Sequence, residues 1–182
     1  NTSDPDQVRA FEKALYRAFQ DRPTEALNII WQVDLRNHRI TTRIPYDSQD
    51  VFLLKLRGGS RILAGSSVNY DMSSRLQLEM RGFSLDKSEP AICEILFLFS
   101  NADASLGRLI IANLASAVCR RLEEKGIRKM YSTCPGKRVK QYAAVGLRPI
   151  DSLESNGEER FLLVADTLSL RERLVNSNIL FQ

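Results

Sequence analysis

Histidine and cysteine are scarce in this chain: one His and three Cys in 182 residues. A lone histidine, His38, cannot build a multi-histidine metal centre, and any Ser-His or Cys-His dyad would depend on that one residue. His38 stands among Arg36, Asn37 and Arg39, which is the setting of a solvated turn. Cys93, Cys119 and Cys134 are odd in number and lack the spacing of metal or redox pairs. Disulfide scaffolds, zinc fingers and thioredoxin-like chemistry are therefore set aside, and the thiols read as small buried hydrophobes. No apolar run approaches the roughly 18 residues of a transmembrane helix; the most apolar, Ile95 to Phe99, is bounded by Glu94 and Ser100. The first residues do not have the basic-then-apolar form of a signal peptide. The expectation is a reduced, cytoplasmic setting with no metal.

The composition that remains is 43% hydrophobic and 26% charged, close to the globular average, so neither a disordered tail nor a coiled coil fits. A length of 182 residues suits one domain, 1–182. The formal charge is +4 with a pI of about 9.1. That excess permits a nucleotide phosphate, an acidic carrier protein or a nucleic acid as partner without choosing among them.

Helical spacing of Val8, Phe11, Leu15, Ala18 and Phe19, with Ser3 or Asp4 as cap and Pro5 in the first turn, predicts an N-terminal helix. β-Branched stretches at Ile29–Val33 and Ile40–Ile44 predict short strands, and Val51–Leu56 and Arg61–Val68 form a hairpin around Gly58-Gly59. Residues 72–82 are ambiguous: Leu76, Leu78 and Met80 alternate as in a strand that Gly82 would end. Ala91–Phe99 has the near-continuous apolar character of a strand buried on both faces, with Glu94 inside it. A long helix over Leu106–Lys125 follows, then a strand over Ile127–Cys134, a short helix over Lys137–Ala144, strands at Leu147–Ile150 and Glu159–Ala165, and a helix over Leu168–Val175. The order is that of an α/β fold with a mixed, mostly antiparallel central sheet flanked by helices.

Tyr142-Ala-Ala-Val-Gly146-Leu147, read with the strand, helix, strand and short helix before it, resembles the GNAT superfamily of acyltransferases. The resemblance implies that Tyr142 protonates the thiolate released from an acyl donor, a role that a phenol can perform; otherwise it is a tyrosine packed against the sheet. Acetyl-coenzyme A users of that superfamily have a glycine-rich turn that cradles the pyrophosphate at the start of the long helix. The matching stretch here, Ala104-Ser105-Leu106-Gly107-Arg108, has one glycine. A donor carried on acyl carrier protein needs only its pantetheine arm gripped, for which Gly107 and Arg108 could suffice. A second likeness covers roughly residues 10–150: Asp47-Ser-Gln-Asp50-Val-Phe-Leu-Leu54, Gly58-Gly59 and Ile62-Leu63-Ala64-Gly65 resemble the front half of acyl-homoserine-lactone synthases. Trp31 would match that branch's tryptophan and Glu94 its glutamate. The arginine expected after Gly65 is replaced by the Val68-Asn69 region, the one expected three residues after Glu94 falls on Phe97, and the Phe19–Trp31 gap is longer. Those arginines organise the S-adenosylmethionine site, so a relative that acylates another amine, as N-acyl amino acid synthases do, matches these departures.

The resemblance implies an acyl thioester, on acyl carrier protein or coenzyme A, as co-substrate with no tightly bound cofactor. Its pantetheine arm would pair with backbone in a splay of the sheet near Leu98, Phe99 and Ser100. The amine would approach from Trp31, Asp47, Asp50 and Phe97, with Glu94 as base and Tyr142 as acid. A buried Glu94 must be paired, hydrogen-bonded or protonated, and a raised pKa suits a base; alternatively it faces solvent or an arginine. Asp47 and Asp50 could hold a cationic amine, or be turn and strand-start residues in water. Trp31 could equally be a core or rim aromatic. Arg120, Arg121, Lys125, Arg128, Lys137 and Arg138 would dock an acidic carrier, or form a solvated helix end. No nucleic-acid-binding signature accompanies them. The rival readings are an acetyl-coenzyme A-dependent acetyltransferase and a non-catalytic binding protein of the same fold.

Overall fold

Asp4 accepts hydrogen bonds from the N–H groups of Asp6 (2.9 Å) and Gln7 (3.4 Å), and Pro5 takes the first helical position. Helix α1 (Pro5–Phe19) therefore begins where a cap and a preset φ coincide, and it buries Phe11, Ala14 and Leu15. A computed structural model describes residues 4–176 except 60, 103, 145 and 156, leaving aside the side chains at 25, 26, 104, 105 and 108. Ser3, the alternative cap, lies outside the described residues.

The longer stretch before Trp31 folds as a one-turn helix, α2 (Thr24–Leu27). Strands β1 (Trp31–Asp34) and β2 (Arg39–Thr42) pair as a separate antiparallel hairpin. The main elements follow: β3 (Gln49–Lys55), β4 (Ile62–Asn69), α3 (Gln77–Met80), β5 (Ile92–Ser100), α4 (Ala104–Glu124) and β6 (Lys129–Pro135). The chain then forms α5 (Val139–Ala144), β7 (Arg148–Ser155), β8 (Glu158–Asp166) and α6 (Thr167–Asn176). Six strands form one sheet in the order β3-β4-β5-β6-β8-β7, antiparallel except for β5 with β6. The expected mixed, mostly antiparallel α/β sheet is what the chain builds.

Two features position the cleft described below. Ser67 pairs with Phe97 but Val68 pairs with Ile95, so Leu96 is the extra residue of a β-bulge. Before it Cys93 and Ile95 pack against Val118, Cys119 and Leu122 of α4; after it Leu98 turns to α4, while Phe97 and Phe99 join Phe11 and Leu15 under α1. The parallel ladder between β5 and β6 covers only Ile92–Glu94 against Lys129–Tyr131. The sheet thus opens directly after Glu94, earlier than the expected splay at 98–100.

Residues 72–82 are not a strand. Glu79 Oε2 accepts from the Leu76 N–H at 2.8 Å, and Glu94 accepts from Gln77 N–H (3.1 Å) and Leu78 N–H (2.7 Å). Carboxylates, not a neighbouring strand, satisfy this backbone, and it closes into α3. Leu76 and Leu78 are both buried, packed with Phe83, Ile92 and Leu162.

Candidate active site

Where β5 and β6 part, a cleft of about 270 Å³ opens between Leu96, Phe97 and Leu98 on one side and Ser132, Thr133 and Pro135 on the other. Ser132 donates its hydroxyl to the Ile95 carbonyl at 3.1 Å, closing the base of the opening. Trp31, Phe19 and Gln77 form one wall, Tyr142 and Arg138 another, and Pro23 and Leu27 carry the longer loop onto the rim.

Trp31 is held from two sides. Its indole N–H donates to Gln77 Oε1 at 2.8 Å, and Gln77 in turn donates from Nε2 to the Leu96 carbonyl at the bulge, also 2.8 Å. Its ring meets Phe19 edge-on, centroids 5.0 Å apart, and Phe97 at 5.0 Å with a 37° tilt. It is therefore both core aromatic and cleft wall, and only 5% exposed. Gln77 lies in the stretch whose sequence is ambiguous between strand and helix; the Leu76–Glu79 spacing, half of a capping box, is the signal for a helix start there.

Glu94 is 2% exposed and faces the α3 side of the sheet, where both its oxygens accept backbone N–H groups. Its ladder partner is Asn69. Among the described residues no lysine or arginine forms an ion pair with it, and burial lifts its carboxyl to about 7 despite the backbone hydrogen bonds that lower it. A buried polar row extends from it along β4 and β3: Ser48 donates to Asn69 at 3.1 Å and Ser67 donates to Gln49. Glu94 does not itself line the cleft; Gln77, whose N–H it holds, does.

Tyr142 is half-buried on α5 and lines the cleft. Burial pushes its phenol up and Arg138 opposes that, so it holds its proton at neutral pH. Gly146 closes α5 with φ +109, where any Cβ would also meet Arg173 at 3.0 Å, and Leu147 N–H returns to the Tyr142 carbonyl at 3.1 Å.

Of the other expected site residues, Phe97 and Leu98 line the cleft, and Phe99 and Ser100 do not. Phe99 lies over Gly65, where a Cβ would come within 2.5 Å of its ring, and Ser100 Oγ accepts from the Ala102 N–H at 3.1 Å. Gly107 sits in the first turns of α4 with open space beside it; the Arg108 side chain lies outside the described residues. Asp47 belongs to a 3₁₀ turn, Tyr46–Ser48. Asp50 points to the α4 face, away from Trp31: it accepts from Arg121 Nε (3.1 Å) and Tyr70 Oη (3.0 Å) and has Lys125 at 3.8 Å. Those cations hold its carboxyl below the ordinary range against the opposing effect of burial. The six basic residues form two groups, not one surface. Lys137 and Arg138 flank the cleft end of the sheet, whereas Arg120, Arg121, Lys125 and Arg128 gather where α4 ends and β6 begins, at the other end of the strands.

Unforeseen in the sequence are two arginines on the α3 side of the cleft, Arg81 just after α3 and Arg160 in β8.

Comparison with solved structures decides the fold. The acyl-homoserine lactone synthase BjaI, described as coenzyme A-dependent and solved with MTA, superposes with a TM-score of 0.69 at 17% identity, over 98% of this chain and 86% of that one. LasI gives 0.70 at 16%, over 93% and 89%, and the coenzyme A-dependent synthase MesI 0.67 at 16%, over 96% and 90%. The fold is that of the acyl-homoserine lactone synthases. No protein-family model and no curated protein matches the sequence. At the two positions where the resemblance leads one to expect arginines of that synthase fold, Asn69 faces Glu94 and Phe97 packs edge-on against Phe11 at 5.7 Å. A neutral amide thus stands beside the buried carboxylate. Burial raises the Glu94 carboxyl, and the Asn69 amide, which hydrogen-bonds it, offsets only part of that.

Proposed function

We propose that the chain is an N-acyltransferase that moves an acyl group from a thioester, on coenzyme A or acyl carrier protein, to the amine of a small amino-acid-like acceptor. The observation that carries this reading is the cleft at the early parting of β5 and β6, with an unpaired strand edge on one side and a proton-bearing phenol on the other. The donor's pantetheine arm would lie along the β5 edge by Leu98, its thioester near Tyr142. The acceptor would enter beside Trp31 and Gln77. The amine nitrogen attacks the thioester carbonyl, a C–N bond forms, the C–S bond breaks, the departing thiolate takes the phenolic proton of Tyr142, and the proton the nitrogen sheds on becoming an amide restores the phenol. The nucleophile must arrive unprotonated. Glu94, with a pKa near neutrality and lone pairs left over from its two backbone bonds, would accept the ammonium proton through a water beside Gln77. Asp50, already neutralised by Arg121 and Lys125, is left out of the acceptor site.

Mass spectrometry of organic extracts from a bacterium expressing the chain is expected to show a new N-acylated amine. Tyr142→Phe should lower kcat by roughly 10²- to 10⁴-fold, the range for loss of a general acid. If extracts are unchanged and neither Glu94→Gln nor Tyr142→Phe alters turnover with any thioester, the reading fails. Thermal stabilisation by coenzyme A as against acyl carrier protein separates the two donors.

A further inference from the structure

The cleft lining carries four arginines, Arg22, Arg81, Arg138 and Arg160, against one carboxylate, Glu158. Arg81 and Arg160 are the anomalous pair. The Arg160 side chain is 12% exposed and spends Nη1 on Glu158 at 2.9 Å; its Nε is buried with no acceptor among the described residues. Arg81 Nε is likewise buried without an acceptor among the described residues. Burial and the adjacent Arg160 press the Arg81 guanidinium down to about 9, as happens to a cation short of counter-charge. Glu158, 40% exposed, offsets only part of this. Two desolvated like charges side by side do nothing for folding, and arginine's planar fork is suited to a carboxylate.

The side of the sheet on which they stand narrows the ligand. Arg160 shares a face with Leu162 and Val164, which pack with Leu76, Leu78 and Phe83, whereas Phe161 and Leu163 face α4. The pair therefore shares the α3 face with Trp31 and Gln77, opposite the helix whose first turn lies along the donor route. We propose that Arg81 and Arg160 seat a carboxylate borne by the acceptor, so that the cleft selects a free amino acid over its ester or amide. The acceptor's role rests on the acyltransferase reading; the charge of the seat does not.

The test uses a product-like probe that needs no turnover. N-Decanoyl-leucine and its methyl ester are titrated against the full chain by thermal shift or calorimetry. The acid is expected to bind and the ester to bind roughly 10- to 100-fold more weakly, as befits loss of a charge-assisted contact. Arg160→Met or Arg81→Met should bring acid and ester to equal affinity, Arg160→Lys should recover part of the preference, and neither Met variant should lower the unliganded Tm, since each relieves a like-charge repulsion. Equal binding of acid and ester by wild type, or an unchanged preference in both Met variants, overturns the assignment. So does weakened coenzyme A binding in those variants with the acid preference intact, which would give the anion to the donor. Retained acid selectivity without turnover on any amine would overturn the acyltransferase reading alone.

Discussion

Glu94 shows how much one residue's surroundings can differ from its apparent role. In the sequence it is an acid inside an apolar strand, which signals either a tuned base or a partnered charge. In the fold it is first of all an anchor: two backbone N–H groups of α3 end on it, and through α3 it fixes Gln77, Trp31 and the carbonyl of the bulge. Its pKa is raised from 4.5 to about 7, so the folded state binds its proton more tightly than the unfolded chain does. The sign follows. Stability falls as pH rises from about 4.5 to about 7, because the unfolded chain ionises first, and it levels off above that. Denaturant unfolding of wild type and Glu94→Gln across this window should show the variant's deficit shrinking with pH. A deficit independent of pH would mean that Glu94 does not titrate there. For turnover, the acid limb of kcat/KM should have its midpoint near 7 and vanish in Glu94→Gln; a limb that persists would leave Glu94 as the anchor only.

At the scale of elements, most of the fold was legible. Period-3.6 stripes marked α1 and α4, and the Ala91–Phe99 run marked the central strand. What was not legible depends on partners distant in sequence. The alternation of Leu76, Leu78 and Met80 is real, but a strand needs a neighbouring edge, and the N–H groups there are taken by Glu79 and Glu94. Trp31, Phe97, Leu98 and Tyr142 are nominated through the family resemblance; Arg81 and Arg160 are not, since nothing local brings position 81 to 160. For Asp50 the sequence leaves open an amine-binding carboxylate or a strand-start residue in water, because strand parity assigns a face only once the register with Val68 is known. Gly65 tests the packing of β4 on β5. Its missing side chain admits the Phe99 ring, which is 4% exposed and has Phe11 at 5.8 Å behind it. Gly65→Ala should cost about 1–3 kcal/mol by overpacking, measured by chemical denaturation. An unchanged midpoint would show that the ring can move aside.

At the scale of the molecule, charge is distributed by ends of the sheet. If an acidic carrier delivers the acyl group, charge reversal beside the cleft, Lys137→Glu, should raise KM for the acyl-carrier donor, with the rise shrinking as salt is added. The same reversal at Arg120, beyond the far end of the strands, should not. Equal effects at the two ends would point to general attraction in place of docking. The cleft opens where β5 carries one inserted residue, Leu96. Ahead of Leu96 the odd-numbered side chains of β5 belong to α4, and beyond it the even-numbered ones do. The two hydrophobic cores on either side of the sheet thus keep their own sequence grammars, and a single extra residue is the point where they exchange. A chain lacking it would carry Phe97 and Phe99 toward α4, empty the aromatic layer beneath α1, and lose the added local twist where β5 parts from β6. In this strand, length mutations should be far less forgiving than substitutions.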